Sequence, residues 1–181
     1  IFDYTQKTLI KLDINSLDYI PLLLKEMPEI SDDSLSFEYE IKEGIKWDDG
    51  SPFTAEDIAF SVKLMLCPLT NNAQIRSNYT TIIKSIEIDK NNPMKFTMNA
   101  QNIHWENKFI FSELYMVQKS LWDPKGVLEY VTFADLLSVD FKETEALQEW
   151  FNSYNNSDNS YKPNLLLGLG AYQVTQWEAS Q

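Results

Sequence analysis

Residues 35–68, LSFEYEIKEGIKWDDGSPFTAEDIAFSVKLMLCP, constrain the fold more than any other stretch. Leu35, Phe37, Tyr39 and Ile41 alternate with Ser36, Glu38, Glu40 and Lys42, the pattern of a strand with one buried face. Asp48-Asp49-Gly50-Ser51-Pro52 then reads as a turn. The helix that follows has a complete start signal. Thr54 caps it, and Asp57, three residues on, returns a hydrogen bond to the Thr54 backbone N–H. Along this helix Ala55, Ile58, Ala59, Val62, Met65 and Leu66 form one apolar stripe, and Phe60, Leu64 and Cys67 form another beside it. Only Glu56, Asp57, Ser61 and Lys63 are left for water. A helix this apolar is expected to be deeply buried, or to meet chain that lies outside this sequence.

The rest of the chain alternates short elements with polar breaks. Residues 8–14 read as a strand and 15–18 as a turn, while Pro21 and Pro28 keep 19–30 to extended chain or a short turn of helix. A polar turn at 31–34 leads into the strand at Leu35. Residues 70–78 read as a surface loop. Residues 82–89 and 94–98 form a β-hairpin about Asn91-Asn92-Pro93. A short helix is expected within 103–114, a minor strand at 114–117, a turn at 122–126 and helical chain within 127–137. The spacing of Leu147, Trp150, Phe151 and Tyr154 predicts a helix over 144–154, ended by a solvent loop at 155–160. Gly168 and Gly170 permit a tight backbone before a strand over 171–177 that would carry Tyr172 and Val174 on one face.

Composition excludes several functions. A chain of 181 residues with 44% hydrophobic content suffices for one core, so residues 1–181 are expected to form a single domain. A net charge of −12 with dispersed Lys and Arg argues against nucleic acid. No apolar run is long enough to span a membrane. Cys67, the one cysteine, allows no internal disulfide, and its place at the end of an apolar helix suits a small buried hydrophobe. His104, the one histidine, cannot build a multi-histidine metal site, and no Ser and Asp pattern near it suggests a triad. Asp48 and Asp49 are adjacent on extended chain and so point to opposite sides, which disfavours a catalytic carboxylate pair.

The stretch from Glu38 to Leu66 resembles the hallmark of the family 5 extracytoplasmic solute-binding proteins, the binding components of bacterial ABC importers. Gly44, Trp47, Asp49, Gly50, Pro52, Thr54, Ala55, Glu56, Asp57, Phe60 and Ser61 fall in that family's register. Ile20-Pro21-Leu22-Leu23-Leu24 and Ile30-Ser31-Asp32-Asp33 resemble its upstream segments, and Gly168-Leu169-Gly170-Ala171-Tyr172 its Gly-Thr-Gly-Pro-Tyr motif. Departures are Pro28 in place of an aromatic, Ser34 in place of Gly and Ala171 in place of Pro.

The resemblance implies an α/β fold, a lobe of the type II periplasmic-binding-protein kind with a mixed β-sheet and flanking helices. It also implies that the chain is part of lobe one of a two-lobed protein. The implied function is non-catalytic binding of a small peptide or other small solute, passed to the membrane permease of an ABC transporter, with no cofactor and no metal. Such a protein works in the periplasm or on the outer face of the bacterial membrane, and is expected to be lipid-anchored through a leader that precedes Ile1. Two readings stay open beside it: an extracytoplasmic carbohydrate-acting hydrolase, supported by aromatic and acidic richness, and the ligand sensor of a regulator with the same fold. Trp47, Asp49, Gly50, Thr54, Asp57, Gly168, Gly170 and Tyr172 are expected to be structural. For ligand contacts the candidates are Asn78 and Tyr79, after the long helix, and Trp105, whose flat ring with one polar tip suits peptides.

Overall fold

The computed structural model describes residues 2–112, 114–176 and 178. The chain opens with a helical turn, α1 (Phe2–Thr5), and a small hairpin of β1 (Ile10–Leu12) and β2 (Tyr19–Pro21). Extended chain leads through β3 (Glu29–Ile30) into β4 (Ser36–Glu40), then to helices α2 (Ala55–Leu66) and α3 (Ala73–Thr80). The hairpin β5 (Ile83–Ile88) and β6 (Lys95–Ala100) follows, and then a 3-10 helix at Asn107–Ser112. Three more helices, α4 (Lys119–Trp122), α5 (Phe133–Leu137) and α6 (Glu145–Tyr154), precede 3-10 turns at Ser157–Tyr161 and Pro163–Leu165.

The main sheet has the order β3-β4-β6-β5. Alternation in β4 works as expected: Phe37 and Tyr39 are buried while Glu38 faces water. Their partners across the ladder are Met98 and Phe96, also buried, so one face of the sheet is a continuous apolar layer. Tyr39 stacks on Phe96 at 4.9 Å, and Phe111 meets both rings edge-on. Helix α2 packs against β5, α3, α4 and α5.

The expected mixed sheet is antiparallel in every pairing among the described residues. Because β6 runs opposite to both β4 and β5, those two strands run the same way on either side of it, joined by α2 and α3. The crossover is present, and the hairpin strand has inserted between its two arms.

Helix α2 is as buried as its stripes demand, and what covers it belongs to this chain. Asp57 and Ser61 are themselves buried. The Ser61 hydroxyl accepts from Val117 N at 2.8 Å, and Lys63 Nζ donates to Leu128 O at 2.8 Å. The polar stripe is therefore not left for water, except at exposed Glu56. It anchors residues 117–129, so the helix needs no chain from outside to explain its apolar width.

Other expectations need correcting. Within the predicted loop at 70–78, helix α3 starts at Ala73, with Asn72 Oδ1 accepting from Ile75 N. Its surface is almost wholly polar and only Tyr79 is buried, so no apolar stripe announces it. Residues 114–117 are not a strand, because Val117 bonds to a helix side chain instead of a ladder. Nor is the described part of 171–177. Gly170 N and Tyr172 N donate to Thr5 O and Tyr4 O, which belong to a helical turn and cannot extend a sheet. Trp177 lies outside the described residues.

Candidate functional site

The Trp-x-Asp-Gly stretch folds into a hydrogen-bonded hub. Trp47 is 2% exposed and meets Phe53 edge-on. Its Nε1 donates to Asp57 Oδ2, which also accepts from Thr54 N at 3.0 Å, while Asp57 Oδ1 accepts from Lys119 N at 2.9 Å. The capping box read from Thr54 and Asp57 is present, and it also ties down the start of α4. Burial pushes the Asp57 carboxyl above its ordinary value, although all three donors oppose that shift. Asp49 Oδ1 accepts from Ser51 N at 2.9 Å, its Oδ2 from Gln118 Nε2 at 2.9 Å, and Gly50 closes the turn at φ +84°. The Gln118 and Ser51 donors hold the Asp49 carboxyl below its usual range.

Asp48 points elsewhere. Its Oδ2 accepts from Gly168 N at 2.8 Å, and Gly168 O accepts from Asp48 N. The two adjacent carboxylates thus serve separate backbone junctions. At Gly168 a Cβ would lie 1.9 Å from Thr5 O, and at Gly170 one would lie 2.1 Å from Tyr4 O, so both positions require glycine for close backbone approach. Tyr172 is exposed and meets the Tyr4 ring edge-on at 5.9 Å.

Asn78, Tyr79 and Trp105 line one cleft of about 460 Å³. The end of α3 supplies the first two, and the chain leading into the 3-10 helix at Asn107–Ser112 supplies the third. Sequence reasoning missed two further members, Tyr19 and Phe109, whose rings stack at 4.1 Å and form the cleft's aromatic floor. Their meeting depends on β1–β2 docking against the 3-10 helix, a long-range event that periodicity does not carry. Trp105 stands edge-on to Phe109 at 6.2 Å and is 67% exposed, while Tyr79 is buried and Asn78 exposed. Lys108 Nζ lies 4.7 Å over the Phe109 ring, and Glu106 lines the rim. The cleft offers flat apolar area with one cation and one carboxylate nearby, an arrangement that can hold a side chain.

The other reactive residues lie apart from it or at its edge. Cys67 is buried, and burial pushes its thiol up to about 11, which leaves it a small hydrophobe at neutral pH. His104 is exposed, 3.6 Å from the Glu106 carboxylate. Among the described residues no group of three or more His, Cys, Asp or Glu side chains is placed to hold a metal ion, and no helix is long and apolar enough to cross a membrane.

The sequence profile of the bacterial extracellular solute-binding proteins, family 5, matches residues 18–181. The oligopeptide-binding protein AppA of Bacillus subtilis is 24% identical over 182 aligned residues, covering 100% of this chain but 27% of AppA. Among solved structures, NikZ from Campylobacter jejuni in complex with Ni(L-His) superposes with a TM-score of 0.68 at 25% identity, over 98% of this chain and 29% of NikZ. AppA from B. subtilis in complex with a nonapeptide gives 0.64 at 21% identity, over 98% and 29% of the two chains. The dipeptide-binding protein of Pseudoalteromonas sp. SM9913 in complex with Met-Leu gives 0.63 at 16% identity, over 98% and 32%. The chain thus spans less than a third of the length of these relatives. With its fold, its Trp-Asp-Gly hub and a profile match over nearly all its length, the chain belongs to the bacterial extracellular solute-binding proteins, family 5.

Proposed function

We propose that this chain forms part of the first lobe of a solute-binding protein that delivers a small solute, preferentially a peptide, to the membrane permease of an ABC importer. The observation that carries the proposal is the family match over residues 18–181, together with a shared fold in relatives solved with a nonapeptide, a dipeptide and a nickel–histidine complex. In this reading the protein works on the outer side of the bacterial membrane, held there by a lipid anchor, and binds without catalysis. Asn78, Tyr79 and Trp105 would form one wall of the ligand site, the aromatic cleft taking an apolar side chain. Closure of a second lobe would complete the site and signal occupancy to the permease.

One wall excludes little water and makes half the contacts. Isothermal calorimetry on this chain with short peptides should therefore detect no micromolar affinity. A reading frame extended to the length of the relatives should bind in that range, and there Trp105→Ala should weaken binding about tenfold. Micromolar binding by the present chain would overturn the half-site assignment, and an unaffected Trp105→Ala variant would remove that residue from the site.

A further inference from the structure

The cleft at Trp105 holds two charges that the fold does not pair with each other. Glu106 is the one charged residue among those that line it. Its carboxylate lies 3.6 Å from His104 Nδ1, but that nitrogen accepts from Glu106 N at 3.3 Å and has no proton to give while the ring is neutral. Among the described residues the carboxylate therefore accepts no hydrogen bond. Lys108 does not neutralise it either. The Lys108 ammonium lies over the Phe109 ring, 4.7 Å from its centre, and pairs with no carboxylate among the described residues.

Four aromatic residues, Tyr19, Tyr79, Trp105 and Phe109, line the cleft beside that carboxylate. Ring faces carry negative charge density and attract cations, and the seat of Lys108 on Phe109 shows that attraction at work. Trp105, 67% exposed, has the most ring surface left to cover. An occupant that buried it would also take water from Glu106. A neutral apolar group would leave the carboxylate poorly hydrated without compensation, and an anion would be repelled by it and by the net charge of −12. A primary ammonium brings three N–H donors that all need acceptors. A methylated ammonium brings none, spreads its charge over its methyl groups and packs those on ring faces.

We propose that this cleft selects a quaternary ammonium group, with its methyl groups on Trp105 and its charge beside Glu106, and that Lys108 is the internal cation competing with it. The proposal rests on the solute-binding reading above and names the chemistry that this wall of the site prefers. Free solutes such as choline carry the group, and so do peptides that contain trimethyllysine.

The test is a ¹H–¹⁵N NMR titration of this chain, following the Trp105 indole N–H, with choline, its neutral isostere 3,3-dimethylbutan-1-ol and N-acetyl-trimethyllysine amide. Choline should bind with roughly millimolar affinity, about fivefold tighter than the isostere, and should weaken as salt rises. Glu106→Gln should weaken choline about threefold and Lys108→Met should strengthen it about threefold, with the folded spectrum and the affinity for the isostere unchanged. Tighter choline assigns the group to a free solute, and tighter trimethyllysine amide assigns it to a peptide; either order supports the proposal. Equal affinities for choline and the isostere, or choline binding that ignores both charge substitutions, would overturn it and leave the solute-binding reading standing with an apolar cleft. A Trp105 indole unmoved by every probe would also overturn it, while that reading would still be judged on peptide binding by the extended protein.

Discussion

The start of α2 and the cleft at Trp105 differ in how far the fold satisfies its own groups. At α2, Asp57 accepts hydrogen bonds from Trp47, Thr54 and Lys119 in a site shut off from water. At the cleft, Trp105 stands largely in solvent, supported by ring edges and without a hydrogen bond from its indole to the described residues. Both oxygens of the Asp57 carboxylate are engaged, whereas the cleft has surface still to bury. Family membership is written in the first region because many residues must agree to satisfy three donors at one carboxylate. Ligand contact needs the opposite condition, groups that the fold itself leaves unsatisfied.

The comparison breaks first at Asp57. Replacing it by alanine strands three donors, and chemical denaturation should show a loss of about 3 kcal/mol. A change near zero would mean that the hub does not hold the fold. Gly168→Ala comes next. Its Cβ would overlap Thr5 O, which is backbone and cannot swing aside, so a loss of about 2 kcal/mol is expected together with weaker hydrogen-exchange protection at residues 168–172. If the variant were as stable as the parent, the close approach would be dispensable.

Acid should act more gently. A carboxyl whose folded value is depressed contributes stability that is present above its ordinary value and lost as pH falls through the folded one. Asp49 has that sign, as do Glu40, paired with Lys25 and Lys95, and Glu129, paired with Lys119. Asp57, raised by burial, has the opposite sign and offsets part of the loss. The melting temperature should therefore decline as pH drops below about 4, and Asp49→Asn should flatten that decline. A melting temperature that rises on acidification would mean that Asp57 outweighs the depressed set. The smallest effect belongs to Trp105→Ala, where thermal unfolding should change by under about 0.5 kcal/mol, since the ring is largely exposed already. A large loss would place Trp105 in the scaffold.

How much of this was legible in the sequence follows the same division. The capping box of Thr54 and Asp57, the alternation of β4 and the hairpin of β5 and β6 depend on neighbours within a few residues, and the chain forms them as expected. Ser34, a Ser in place of the resembled family's Gly, adopts φ +57°, the left-handed conformation that glycine takes most readily. What could not be read was long-range. The donation from Lys119 to Asp57, the capture of Val117 by Ser61 and the stack of Tyr19 on Phe109 join residues far apart in the chain. Helix α3 was missed for another reason, since its polar surface gives no period. The ligand candidates fall between these cases. Asn78, Tyr79 and Trp105 do line one cleft, but its floor became visible only when β1 and β2 docked.

The central claim is that the Trp-Asp-Gly hub is scaffold and that ligand meets surfaces outside it. Indole N–H signals test this directly, because Trp47 and Trp105 report from the two regions within a single spectrum. Titration of the extended protein with a short peptide should shift the Trp105 indole and leave that of Trp47 in place. A shift at Trp47 with Trp105 unmoved would contradict the account.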